Sequence, residues 1–181
     1  MKLVMLDRDG VLNEDRADYV KHPGELQIIA RAGEACALLN RANIKVAVVS
    51  NQSAVGRGII SADMLERIHD KLRGAIAAEG GRIDLLLTCT DAPGRESARR
   101  KPAPGMLREA MEHFRVTRDD SVMIGDQLSD LTAARAAGVL PILVRSGKGA
   151  DLLAKGLPQD ILPVSVYDSL YTAVESLLAK G

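Results

Sequence analysis

Leu3-Val4-Met5-Leu6-Asp7-Arg8-Asp9-Gly10 decides the reading of this chain, because a short apolar run ends at once in two carboxylates one residue apart. Such a run predicts a strand buried on both faces, as in a parallel sheet. Open parallel sheets bind ligands outside the carboxyl ends of their strands, which is where Asp7 and Asp9 emerge. In extended backbone, residues i and i+2 point the same way, so both carboxylates can act on one reacting centre. One would serve as nucleophile or metal ligand and the other as acid/base, with repulsion or a metal separating their proton affinities. Taken alone, D-x-D-G also reads as a strand end running into a tight turn.

Working outward, apolar runs of strand length recur near 2–6, 44–50, 83–88, 121–125 and 139–145, and helical patterns fall near 31–41, 61–79, 104–115, 129–137 and 168–179. Alternation of this kind predicts an α/β fold, a doubly wound parallel sheet with helices on both faces. Ser61-Ala62-Asp63 opens one helix, Pro104 sits in the first turn of another, and Ser129 or Asp130 can cap a third. Gly80-Gly81 and Gly138 follow helical runs as stops. With no repeat, low-complexity tract or linker, residues 1–181 read as a single domain.

Hydrophobic residues make up 46% of the chain, enough for a sizeable core built from aliphatic side chains rather than aromatics. Lys and Arg number 24 and so do Asp and Glu, so no global field points to nucleic acid or an acidic membrane. Any anion site must be built locally. The first strand meets its acid pair too early for a signal-peptide apolar region, and no run is long enough to span a bilayer. Two cysteines, Cys36 and Cys89, make no disulfide framework. The expectation is a cytoplasmic protein; scarce aromatics and the lack of an apolar surface stripe favour a monomer.

Three more elements accompany the acid pair. Val46-Ala47-Val48-Val49 ends in Ser50-Asn51-Gln52-Ser53, Arg100-Lys101-Pro102 precedes a helical stretch, and Val122-Met123-Ile124 ends in Gly125-Asp126-Gln127-Leu128-Ser129-Asp130. The order is acid pair, hydroxyl, lysine, acid pair. It resembles the haloacid dehalogenase (HAD) superfamily of aspartate-nucleophile phosphatases, over roughly the first four-fifths of the chain. The resemblance implies a HAD-like Rossmannoid domain. The connections at 13–25 and 88–103 leave no room for a large cap, so it also implies a capless member whose specificity comes from the loops at 13–25, 51–59 and 89–103.

Phosphoryl transfer needs an in-line nucleophile, neutralisation of the equatorial oxygens and a proton for the leaving group. Asp7 is the candidate nucleophile, able to form an aspartyl-phosphate, and Asp9 the candidate acid and base. A carboxylate attacking a phosphate dianion calls for a hard cation, and Mg²⁺ suits. By the family pattern, Mg²⁺ is held by the Asp7 carboxylate, the Asp9 backbone carbonyl and Asp126. Asp130 either orders a metal-bound water or caps its helix. Ser50 suits a phosphate oxygen, and Lys101 would neutralise both Asp7 and the transferring group.

A longer match narrows the resemblance. Asp7 to Asn13, Tyr19-Val20, Ser50 to Gly58, Arg100 to Leu107 and Val144-Arg145-Ser146-Gly147-Lys148 are similar to the D-glycero-D-manno-heptose 1,7-bisphosphate phosphatases, with the histidinol-phosphate phosphatases as close relatives. That implies loss of the 7-phosphate from a bisphosphorylated heptose, a step toward activated heptose for lipopolysaccharide. It implies that Arg100 contacts substrate and that Asn51, Gln52 and Ser53 line the phosphate pocket, with Asp15, Arg16 and Tyr19 as sugar or distal-phosphate contacts. Many relatives carry a structural zinc before R-K-P, in a C-x-H and C-x-C pattern. Here Cys89 remains, but Asp91, Ser97 and Arg99 occupy the other positions, so no zinc is expected. Three other readings stay open: a histidinol-phosphate phosphatase, a broad sugar-phosphate phosphatase and, outside enzymes, a phospho-receiver module. The last places its acceptor Asp on a middle strand and lacks the late acid pair.

Overall fold

The computed structural model describes residues 1–94 and 97–179. Among them, parallel strands β1 (Leu3–Leu6), β2 (Lys45–Asn51), β3 (Leu85–Cys89), β4 (Ser121–Gly125), β5 (Leu140–Val144) and β6 (Ser165–Tyr167) form one sheet in the order β3-β2-β1-β4-β5-β6. The connecting helices are α1 (Ala32–Arg41), α2 (Ser53–Gly56), α3 (Ala62–Ala78), α4 (Gly105–Phe114), α5 (Leu128–Ala137), α6 (Gly149–Lys155) and α7 (Leu170–Ala179).

The apolar run of β1 is buried along its whole length because both of its faces are covered. Val4 and Leu6, with Val46, Val48, Val122 and Ile124, pack beneath α1, α3 and α7 through Leu39, Leu72 and Val174. Leu3 and Met5, with Ala47, Val49 and Met123, pack beneath α4 and α5 through Leu107, Ala110 and Ala134. The two-residue alternation of the strands therefore divides the core into two layers. Each fully buried side chain of this size contributes roughly 1.5–3 kcal/mol.

β1 is central, with β2 on one side and β4 on the other, so the strand order reverses there. A crevice opens at that switch point. Leu6 lies level with both Val48 and Ile124, which sets the ends of β1, β2 and β4 along one edge. Ser61 caps α3 by accepting a hydrogen bond from the Met64 amide at 3.1 Å, and Gly138 ends α5 in the left-handed region, both as the sequence predicts. Pro104 stands one residue ahead of α4, and the α5 cap falls at Gln127 rather than Ser129.

The sequence pattern does not reveal α2, α6 and β6. Each is short: α6 spans seven residues, and β6 has three and lies at the sheet edge. Such segments show no hydrophobic period long enough to read. No inserted domain covers the crevice among the described residues, and no helix there is long and apolar enough to cross a membrane.

Candidate active site

Four chain segments meet at the crevice. Asp7 leaves β1 buried, its Oδ1 accepting from the Arg8 amide at 2.6 Å and lying 3.0 Å from Lys101 Nζ. The same ammonium is 2.6 Å from Asp130 Oδ1, so Lys101 sits between carboxylates from β1 and α5. Lys101 arrives on the loop after β3 and is held by Asn51, whose Nδ2 donates to the Lys101 carbonyl at 2.9 Å and whose Oδ1 accepts from the Lys101 amide at 3.1 Å.

Gln52 links the hydroxyl to the second acid, donating through Nε2 to Ser50 Oγ at 2.9 Å and to Asp9 Oδ2 at 2.8 Å. The other oxygen of Asp9 accepts from Asn13 Nδ2 at 2.8 Å and from Arg8 Nη2 at 2.9 Å. Burial works to raise the pKa of Asp9, but the Arg8 charge and these donors outweigh it and hold the group below the usual carboxylate range.

Asp7, Asp126 and Asp130 offer carboxylate oxygens within 4.8 Å of one another, and all three are buried. Asp126 Oδ2 accepts from the Lys148 amide at 2.8 Å, whereas its Oδ1 is buried with no hydrogen-bond partner. Glycine is required beside it: a Cβ on Gly10 (φ +82°) or on Gly147 (φ +58°) would lie 2.2 Å from Asp126 Oδ2. Burial, reinforced by Asp7 and Asp130, pushes the Asp126 pKa up to about 8. Burial likewise raises Asp7 to about 7, against the opposing pull of Lys101. Burial alone would lower Lys101, but Asp130 and Asp7 raise it and keep it protonated. Three carboxylates facing one ammonium leave an excess of two negative charges once all are ionised, which one divalent cation balances. The orphaned Asp126 oxygen and the hard oxygen donors fit Mg²⁺.

All the acid-pair, Ser50-loop and Arg-Lys residues expected from sequence line one crevice of about 420 Å³: Asp7, Asp9, Ser50, Asn51, Gln52, Ser53, Arg100 and Lys101, together with Asp15, Arg16 and Tyr19. Asp126 belongs to the carboxylate cluster beside them. Asp130 does cap α5, accepting from the Gln127 amide at 3.0 Å, and its second oxygen is committed to Lys101. Arg16 is partly engaged, with Nε donating to the Tyr19 carbonyl at 3.2 Å and Nη2 lying 3.1 Å from Asp18 Oδ1. Tyr19 OH lies 3.5 Å from Ser53 Oγ.

Arg8, Gln127, Ser129 and Lys148 also line the crevice, and the sequence alone assigns them no role there. Lys148 Nζ is 2.7 Å from Asp15 Oδ2, tying the loop after β1 to the turn after β5. Its signal is present in Val144-Arg145-Ser146-Gly147-Lys148, which follows a strand. Arg8 gives no signal, since a charged residue flanked by acids reads as solvated, yet it is 1% exposed.

A crevice at the switch point with an acid pair, a hydroxyl, a buried lysine and a second acid pair defines the HAD-like class of hydrolases. A family model described as "HAD-hyrolase-like" matches residues 98–173. A protein of Pseudomonas aeruginosa named D-glycero-beta-D-manno-heptose-1,7-bisphosphate 7-phosphatase is 41% identical over 97% of each chain, and one of Bordetella bronchiseptica with the same name is 39% identical over 100% of each. The crystal structure of D,D-heptose 1,7-bisphosphate phosphatase from B. bronchiseptica, complexed with magnesium and phosphate, superposes with a TM-score of 0.93 at 38% identity over 100% of each chain. The chain belongs to the D-glycero-D-manno-heptose-1,7-bisphosphate 7-phosphatase family. The phospho-receiver alternative falls with that membership.

Proposed function

We propose that the chain is a magnesium-dependent phosphatase that removes the 7-phosphate of D-glycero-β-D-manno-heptose 1,7-bisphosphate by way of an aspartyl-phosphate on Asp7, with residues 1–181 acting as one capless domain. The observation that carries this reading is the contact of Asp7 Oδ1 with Lys101 Nζ at 3.0 Å, inside a crevice whose rim also carries Arg16, Arg100 and Lys148. One phosphate can meet the buried carboxylate and lysine while a second meets cations at the rim. The names of the relatives support heptose bisphosphate and its β anomer as the substrate.

Asp7 attacks phosphorus and forms the aspartyl–phosphate bond as the bond to the sugar oxygen breaks. Asp9 gives that oxygen its proton: ionised in the free site, it takes one up when the negative charge of the substrate phosphate arrives beside it and raises its proton affinity. It then takes a proton from the water that attacks the aspartyl-phosphate and releases inorganic phosphate. Gln52 holds Asp9 and Ser50 in a fixed relation, so the acid/base and the phosphate-binding hydroxyl stay aligned. Lys101 neutralises charge on the transferring group and on Asp7, and Asp130 fixes its ammonium. Asp7, Asp126 and the Asp9 backbone carbonyl would hold Mg²⁺, which when bound supplies charge neutralisation between the carboxylates and the phosphate.

Stereochemistry at phosphorus tests the covalent path on a substrate made chiral there with oxygen isotopes: two successive in-line displacements, first by Asp7 and then by water, give net retention, and net inversion would sink the aspartyl-phosphate. Steady-state rates on heptose bisphosphate, histidinol phosphate and an aryl phosphate test the substrate. The highest kcat/KM belongs to the heptose, and preference for histidinol phosphate would overturn the assignment.

A further inference from the structure

The loop between β3 and α4 carries Arg100, and the side chains around it form a closed path of hydrogen bonds. The Arg100 amide donates to Ser97 Oγ at 3.2 Å. Ser97 Oγ lies 3.6 Å from Cys89 Sγ. The Cys89 thiol donates to Asp91 Oδ2 at 3.3 Å. Arg100 Nη1 donates to the Asp91 carbonyl at 2.9 Å, which returns the path to its starting residue.

Hydrogen supply fixes the direction of every link. A thiol has one hydrogen, and here it goes to a carboxylate that only accepts. The Ser97 hydroxyl must then donate to sulfur, which leaves its lone pairs for the Arg100 amide. Each group gives and takes what it can: three links run from the Arg100 amide through Ser97 and Cys89 to the Asp91 carboxylate, and the fourth runs from the Arg100 guanidinium to the Asp91 carbonyl, so Arg100 donates at both ends and Asp91 accepts at both. The path is also anchored. Cys89 is 2% exposed at the end of β3, lies level with Asn51, and accepts from the Gln52 amide at 2.7 Å through its carbonyl. The root of the path is therefore the same strand edge that holds Asp9 and Lys101.

We infer that Cys89, acting through Asp91 and Ser97, is a positioning residue that fixes the Arg100 backbone and guanidinium at the crevice rim. The part of this inference that concerns specificity rests on the reading of Arg100 as the contact for the phosphate that stays behind. A thiol at position 89 can both donate to a carboxylate and accept from a hydroxyl, and alanine can do neither.

The test measures kcat and KM for heptose bisphosphate and for an aryl phosphate, alongside backbone amide exchange of residues 97–101. Cys89→Ala raises KM for the bisphosphate by about fivefold to tenfold, the size expected for one net hydrogen bond, with kcat and the aryl phosphate changed less than about twofold. Ser97→Ala, which leaves the β3 core untouched, has the same signature. Cys89→Ser restores the wild-type values because a hydroxyl keeps the direction of donation. Exchange over 97–101 quickens in both alanine variants. Combined with Arg100→Ala, Cys89→Ala adds no further loss.

Unchanged exchange and unchanged kinetics in both alanine variants would overturn the inference. So would a Cys89→Ala loss that adds to that of Arg100→Ala, or one zinc per chain retained in the wild type and lost in Cys89→Ala. Faster exchange with an unaltered preference for the bisphosphate would support the positioning and overturn the substrate role of Arg100, which separates the two readings.

Discussion

Removing the metal should make stability depend steeply on pH, in a direction opposite to that of an ordinary salt-bridged carboxylate. Burial lifts Asp7 to about 7 and Asp126 to about 8 from an ordinary value of 3.8. Between those limits the folded protein holds protons that the unfolded chain has released, so unfolding free energy falls as pH rises. A tenfold difference in proton affinity between the folded and unfolded chain is worth about 1.4 kcal/mol, but the carboxylates share one lysine and their costs overlap. From pH 5 to pH 8 the loss is about 5 kcal/mol, which for a chain of this size lowers Tm by about 10 °C or more. Mg²⁺ should reverse the loss at pH 8 and do little at pH 5, where its ligands still carry protons. Thermal melts of chelator-treated protein across this range, with and without Mg²⁺, measure both effects. Asp126→Asn isolates the cause, since it removes one titrating group and should flatten the slope and raise the metal-free Tm at pH 8. A metal-free Tm that is flat from pH 5 to pH 8, or an equal Mg²⁺ effect at both ends, would refute the reasoning.

Asp7→Asn should lose turnover by several orders of magnitude while folding normally, checked by steady-state rates and circular dichroism, because shape is kept and only the attacking charge goes. Lys101→Ala should lower kcat/KM for every phosphate ester by similar factors, and it leaves Asp7 and Asp130 without their shared cation; a substrate-dependent loss would contradict its place at the phosphoryl group. Arg100→Ala should cost the bisphosphate about tenfold to a hundredfold and barely change an aryl phosphate, as expected for one charge-assisted contact to the distal group. Asn51→Ala removes both bonds to the Lys101 peptide and should lower kcat for bisphosphate and aryl phosphate together, at a stability cost of about 1–3 kcal/mol read by urea unfolding.

What is legible in the sequence is what local pattern controls. The ends of β1, β2 and β4 can be placed because buried parallel strands read as apolar runs, and Asp7, Ser50 and Asp126 follow them directly. Lys101 is legible only through motif order, since the segment before it carries no strand. Contacts between distant segments are not legible. Asn51 is expected to line the phosphate pocket, and it does line the crevice, but its amide is spent on a peptide fifty positions away in the chain. Asp15 and Lys148 meet across the crevice with nothing local to announce it. The two readings of Asp130 are both incomplete. One oxygen serves the helix cap and the other serves Lys101, because the first turn of α5 sets Asp130 against Gly125 at the end of β4, within reach of the ammonium that also meets Asp7.

Two of the rim cations, Lys148 and Arg100, differ in how much of their charge is already spent within the protein. Lys148 is exposed, and its ammonium is paired with Asp15 at 2.7 Å, so an incoming phosphate gains only the difference between two anionic partners. Arg100 is partly buried, and it spends Nη1 on the neutral Asp91 carbonyl, which orients the guanidinium without cancelling its charge. A phosphate reaching Arg100 therefore meets a cation already held in place and, among the described residues, in no ion pair. Among the described residues no inserted domain covers the crevice to add contacts after binding, so such preorganisation has to exist before the substrate arrives. On the proposed reading of Arg100 as the contact for the second phosphate, recognition should therefore rest on Arg100 more than on Lys148, and through Arg100 on the buried thiol inferred to anchor its loop.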